Sequence, residues 1–150
     1  MNTNITKTWT ITIDGDEVFA RCTNESLYQT YNRMEESIKV DALVIQEDDR
    51  GQFNVYFSAA IANLGVLLAR RMDGPASVVD GTVTFVLNMH DNHEDAILPI
   101  LRTHCYEYVV RQIMEQWYRV EFGSELEKLE INHCLHYRKF PVRRRIGPLF

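Results

Sequence analysis

The sequence predicts an α+β domain, mainly α, in which a bundle of three to four helices carries a small antiparallel β element. Three observations predict it. Two stretches, Lys7 to Asp14 and Ser77 to Met89, alternate apolar and polar residues with the period of two that marks a half-buried strand. Longer stretches repeat apolar residues at three- and four-residue steps, the mark of amphipathic helices. Finally, 150 residues with 45% apolar and 25% charged content suit one domain. A chain of this size hides roughly 70% of its unfolded surface, so its core needs neither disulfide nor metal. The expected organisation is a single helical domain over 1–137, with the small β element, and an extended basic C-terminal arm over 138–150.

The first strand sets Trp9, Ile11 and Ile13 against Thr8, Thr10 and Thr12. Asp14-Gly15 reads as a turn. Val18 to Cys22 suits either a returning strand or the start of a helix. Thr23-Asn24 offers an N-cap, and Leu27, Tyr28, Tyr31 and Met34 follow at helical spacing. Ser37 to Ile45 reads as a connection with a short extended piece at Ala42 to Ile45. Glu47, Asp48 and Asp49 then open a strong helix, where acids complement the helix dipole. Its stripe is Phe53, Phe57, Ala60, Ile61, Leu64, Leu67 and Leu68; Arg70 and Arg71 suit its C-terminal end, and Gly74-Pro75 stops it. In the second β segment Val83, Phe85, Leu87 and Met89 share one face, which makes it the partner of the first strand.

The longest helical stretch lies within His93–Phe122, with Pro99 in its first turn, where a missing N–H costs little. Leu98, Leu101, Cys105, Val109, Ile113, Trp117 and Val120 form one stripe, and Val110, Met114 and Tyr118 adjoin it, so burial on more than one side is expected. The remaining face carries Glu107, Arg111, Glu115 and Arg119 at four-residue steps, which reads either as a subunit contact or as a solvated face. Gly123 is expected to close this helix. Ser124 and Glu127 have the spacing of a capping box for a last helix, with Leu126, Leu129, Ile131, Cys134 and Leu135 as its apolar face. Pro141 ends it, and the following residues, rich in proline and arginine, are expected to be extended.

The net charge is −5, unevenly placed. Arg138, Lys139, Arg143, Arg144 and Arg145 follow Tyr137 with no acid among them, leaving an acidic body. Such a division suggests head-to-tail contact between copies, or a tail laid on an acidic partner or nucleic acid. Cys22, Cys105 and Cys134 are odd in number and form no CxxC, and they read as core residues from a reducing compartment. The N-terminus has no apolar run of signal-peptide length, and no run is expected to approach the roughly 20 residues of a membrane span.

Candidate chemistry is sparse, and neither cofactor nor metal is expected. His90-x-x-His93 with Glu94 and Asp95 has donor types that suit zinc or iron, but the spacing falls in a loop and reads as ordinary loop residues. Glu130-x-x-His133 places a carboxylate and an imidazole on one helical face, as in a carboxylate-bridged di-metal bundle, yet the chain has no second ExxH. Cys105 and Cys134 each adjoin a histidine, His104 and His133, but neighbours in sequence do not face each other on a helix. Phosphate-cradling glycine loops are absent. The arginine run fits phosphate contact, although few aromatics interleave with it.

Residues 47–145 resemble the head–tail connector (adaptor) proteins of tailed bacteriophages and, more narrowly, short virion proteins of Bacteroidetes phages and prophages. The resemblance lies in an order of elements. It begins with the acid-started helix EDDRGQFNVYFSAAIANLGVLLARRM and the β segment TVTFVLNM. The helix LPILRTHCYEYVVRQIMEQWYRV follows, with Trp117-Tyr118 near its end. A short helix then runs into Tyr137, Arg138, Lys139, Pro141, Arg143 and Arg144. The N-terminal 46 residues have no counterpart in the shortest connectors, and the β segment is longer than theirs.

The resemblance implies a structural virion protein and no enzyme: a ring of identical subunits, usually twelve, beneath the portal protein, extending the DNA channel and docking the tail or further neck proteins. DNA would pass without sequence recognition, no membrane would take part, and assembly would occur in the host cytoplasm. Contacts are expected through Arg138, Lys139, Arg143, Arg144 and Arg145, the apolar tip Ile146, Leu149 and Phe150, and the Glu107, Arg111, Glu115 and Arg119 face. Other readings are another neck or tail-completion protein, a small metal-dependent enzyme using Glu130, His133 and His104, or a DNA-binding regulator acting through Arg143 to Arg145.

Overall fold

The computed structural model describes residues 6–32 and 44–138. In order they form β1 (Thr6–Asp14), α1 (Gly15–Asn32), α2 (Arg50–Leu68), β2 (Ser77–Val79), β3 (Thr82–His90), α3 (Ile97–Tyr118) and α4 (Ser124–His136), with a 3-10 turn at each end of α2. The fold is α+β, mainly α, as expected. In the antiparallel sheet β3 lies between β1 and β2, and Trp9 stands opposite Leu87 and Ile11 opposite Phe85. Alternation buries Trp9, Ile11, Ile13, Val83, Phe85, Leu87 and Met89 and turns the threonines outward, so helices cover one side only. The expected single strand over Ser77–Met89 is instead a hairpin. Asp80 and Gly81 have φ of 52° and 80°, the left-handed pair that a two-residue turn requires and Asp-Gly favours.

α1 begins where β1 ends, which corrects the expected start at Thr23-Asn24. Asp14 Oδ1 accepts the Asp16 N–H at 2.9 Å and caps the helix. The Gly15 N–H donates to the Gly81 carbonyl at 2.9 Å. A Cβ at position 15 would stand 3.0 Å from that carbonyl oxygen, which explains a glycine there. Thr23 and Asn24 are interior, and Val18, Phe19, Cys22 and Ser26 face the core while Leu27 and Tyr28 are exposed. Met34 and most of the Ser37–Ile45 connection lie outside the described residues. Ile45 is buried, its N–H held by Ser26 Oγ at 2.9 Å.

α2 buries Phe53, Ala60, Leu64 and Leu68, with Phe57, Ile61 and Leu67 partly covered, as its stripe predicts. Its outer side carries an apolar ridge, Val55, Ala59, Ala62 and Val66, between exposed polar residues. By length and composition alone the helix within Glu47–Arg71 is long and apolar enough to cross a membrane, an 18-residue window of it having a mean hydropathy of 1.3, although Asn54 and Asn63 interrupt its apolar residues.

α3 is the hub, packed on α1, α2, α4 and β1. It buries Leu101, Cys105, Tyr108, Val109, Val110, Ile113 and Met114. It stops at Tyr118, because Arg119 turns left-handed (φ 59°) while its N–H reaches the Glu115 carbonyl at 2.7 Å. Val120 therefore falls outside the helix and is exposed. Gly123, expected to close this helix, sits at the N-cap of α4 with φ 95°. α4 buries Ser124, Ile131, Cys134 and Leu135, whereas Leu126 and Leu129, expected on its apolar face, are 68% and 62% exposed. Positions 124, 131, 134 and 135 share one helical face, and 126 and 129 lie off it.

Candidate interaction surfaces

The charged row on α3 is turned largely into the molecule. Glu107 accepts two hydrogen bonds from Arg21 of α1, at 2.7 and 3.1 Å, and these hold the Arg21 guanidinium still higher than its ordinary range. Arg111 donates to the Phe122 carbonyl at 3.0 Å and lies 3.5 Å from Glu127. Glu115 accepts the Phe122 and Ser124 N–H groups at 2.9 and 3.0 Å and the Ser124 hydroxyl at 2.7 Å. This carboxylate satisfies the first turn of α4 and replaces the expected capping box. Ser124 Oγ points back to Glu115, and Glu127 contacts His104 Nδ1 at 2.7 Å. Of the four, Arg119 alone is exposed. Electrostatic satisfaction within the chain thus accounts for most of the row.

The candidate metal ligands diverge. His90 Nδ1 accepts the Asn92 N–H at 3.2 Å. Asp95 accepts from Trp9 Nε1 and Lys7 Nζ, both at 3.1 Å, and these bonds hold its carboxyl below the usual range. His93 is buried edge-on to Trp9, ring centroids 5.9 Å apart. Its pKa is lowered, first by burial and then by the charge of Arg71, with Arg138 and His90 adding to this and the Tyr137 backbone opposing it. Glu130 and His133 are both exposed, and His104 is engaged with Glu127. Among the described residues no three His, Cys, Asp or Glu side chains converge on a metal-sized site.

The fold does assemble a cationic groove. The end of α2 and the end of α4 enclose about 680 Å³ with Val66, Leu67 and Leu135 in its walls and Arg70, Arg71, His136 and Arg138 around it. Arg71 donates to the Leu135 carbonyl at 2.7 Å, a C-terminal carbonyl of α4 with no intrahelical partner. Burial, Arg138 and Arg70 all lower the Arg71 pKa, in that order, so the three guanidiniums share one field. Among the described residues no carboxylate pairs with any of them. At the other end of α2, Arg50 bonds Asp16, lies 3.8 Å from Glu47 and covers the Phe19 ring, while Asp48 and Asp49 adjoin it in sequence.

No protein-family model, no curated protein and no solved structure matches the chain.

Of the contact residues expected from sequence, Arg138 is described and exposed at the groove; Lys139, Arg143, Arg144, Arg145, Ile146, Leu149 and Phe150 lie outside the described residues. Sequence reading placed Arg70 and Arg71 only as complements of a helix end. Their meeting with Arg138 depends on how α4 folds back along α2, which no local pattern encodes.

Proposed function

We propose that this chain is a non-catalytic structural subunit of a tailed-bacteriophage neck, a head–tail connector that closes into a ring, twelve-fold by resemblance, beneath the portal protein. The order of elements carries the reading: an acid-started helix, a β segment, a long helix ending in Trp117-Tyr118, and a short helix leading to a basic arm rooted at Arg138. The separation of charge supports it. One end of α2 is acidic and the other arginine-rich, and unlike surfaces on one subunit suit the heterologous contacts from which rings are built. A basic C-terminal segment beginning at Arg138, beside the groove, suits attachment to a neighbouring subunit, to the portal or to tail proteins. DNA would cross the channel without being read. The test is electron microscopy and mass photometry of the full chain, alone and mixed with the portal protein of the same phage. Closed rings on the portal are the expected result. A chain that stays monomeric and ignores the portal overturns the reading.

A further inference from the structure

An apolar ridge on the outward side of a helix is a surface that a partner can cover. α2 has partners on one side only. On its outward side Val55, Ala59, Ala62 and Val66 are all exposed, Val55 at 61% and Val66 at 74%. Steps of four, three and four residues keep these side chains in one ridge. The ridge reads the same from either end: valine, alanine, alanine, valine about a midpoint between residues 60 and 61. Its two ends are opposite in charge. Each end holds one opposing charge, yet Glu47, Asp48 and Asp49 outnumber Arg50 at the start, and Arg70 and Arg71, with Arg138 beside them, outnumber Asp73 at the finish.

These features select one occupant. A second copy of α2 laid antiparallel sets Val55 on the copy's Val66 and Ala59 on its Ala62. It also brings each acidic start to an arginine end. A parallel copy would put acid on acid and arginine on arginine. We propose that the outward face of α2 binds the same face of a second copy of this chain, antiparallel, forming a two-fold dimer. The 19-residue helix gives a contact about 28 Å long. Alanines at its centre let the axes approach to the near end of the range, about 8 Å. A lipid surface fits less well, because exposed Asn54 and Ser58 flank the ridge on one side and Gln52 and Asn63 on the other. The contact is isologous and closes on itself, and it engages the same two charged ends of α2 that the neck reading uses, so in one subunit the two associations compete for those ends.

Two single substitutions in the full chain, Val55→Cys and Val66→Cys, test it. The three native cysteines are buried, so each variant presents one exposed thiol on this face. With tags of different size and mild copper-phenanthroline oxidation, the mixture is expected to give the mixed disulfide dimer, in clear excess over either self-linked product. Sedimentation is expected to show a dimer for the unsubstituted chain and loss of that dimer for Ala62→Glu, whose circular dichroism is unchanged. A monomeric unsubstituted chain, self-linked Val55→Cys in excess of the mixed product, or flotation with phosphatidylcholine–phosphatidylglycerol vesicles in place of dimerisation overturns it. Rings on the portal with an Ala62→Glu-insensitive association would sink the dimer and leave the neck reading standing.

Discussion

His93 is 1% exposed and neither ring nitrogen makes a well-formed hydrogen bond, so its surroundings disfavour the charged ring. Burial and the neighbouring Arg71 and Arg138 charges lower its pKa, His90 adds to them, and the Tyr137 backbone works the other way. An unfolded histidine titrates near 6.5, so below that pH the unfolded chain takes up a proton more readily than the folded chain. His93 therefore leaves stability intact above pH 6.5 and reduces it progressively as the pH falls toward the lowered value. Thermal unfolding between pH 7 and 5 is expected to show a steeper loss for the native chain than for His93→Phe, which keeps an aromatic ring against Trp9; parallel curves would contradict the assignment. The thiols behave in the same spirit. Burial pushes the Cys22 thiol up to about 12 and raises Cys105 and Cys134 as well. Ellman's reagent at pH 8 is expected to label none of the three in the folded protein and all three in guanidinium, because the thiolate is the reacting form.

Among the elements, α4 has its start held by a side chain from another helix. Without the Glu115 carboxylate, two N–H groups and a hydroxyl lose their acceptor. Glu115→Ala is expected to lower stability by about 2 kcal/mol in urea denaturation, against a change within about 0.5 kcal/mol for exposed Glu121→Ala. The same cap marks the limit of what could be read in advance. The stripes of β1, α2 and α3 were legible, because Trp9-Ile11-Ile13, Phe53-Ala60-Leu64 and Leu101-Cys105-Val109 follow the periods of their elements. Boundaries set by tertiary contact were not. The spacing of Ser124 and Glu127 matches a capping box, but Glu115, nine residues before Ser124, is the better-placed acceptor. The start of α1 was masked because Asp14-Gly15 suits a turn as well as a cap. The Asp80-Gly81 hairpin was legible in principle from its dipeptide, and the alternation running through it made it look like one strand. The candidate surfaces divide similarly: the acidic and basic ends of α2 are visible in sequence, whereas the groove with Arg138 exists only once α4 has folded.

At the scale of the molecule, helices cover one side of a three-stranded sheet and α2 forms an outer wall with opposite charges at its ends. Salt is expected to separate the two associations proposed here. Raising ionic strength from 0.05 to 0.5 M shortens the screening length from about 14 to about 4 Å. That should weaken a portal contact made through the exposed arginines more than an α2 dimer centred on valine and alanine. Titration of both associations by mass photometry checks this; equal sensitivity would argue that charge dominates both. One feature of the sheet bears on how the chain reaches this form. β1 pairs along its whole length with β3, Thr6 with His90 and Asp14 with Thr82, so among the described residues its one sheet partner lies 68 to 84 residues further on. During synthesis Trp9, Ile11 and Ile13 wait, unpaired, until that partner has left the ribosome. At about 5–20 residues per second the wait lasts seconds, long compared with the microseconds in which a local helix forms. β1, made well before its partner, is thus secured late.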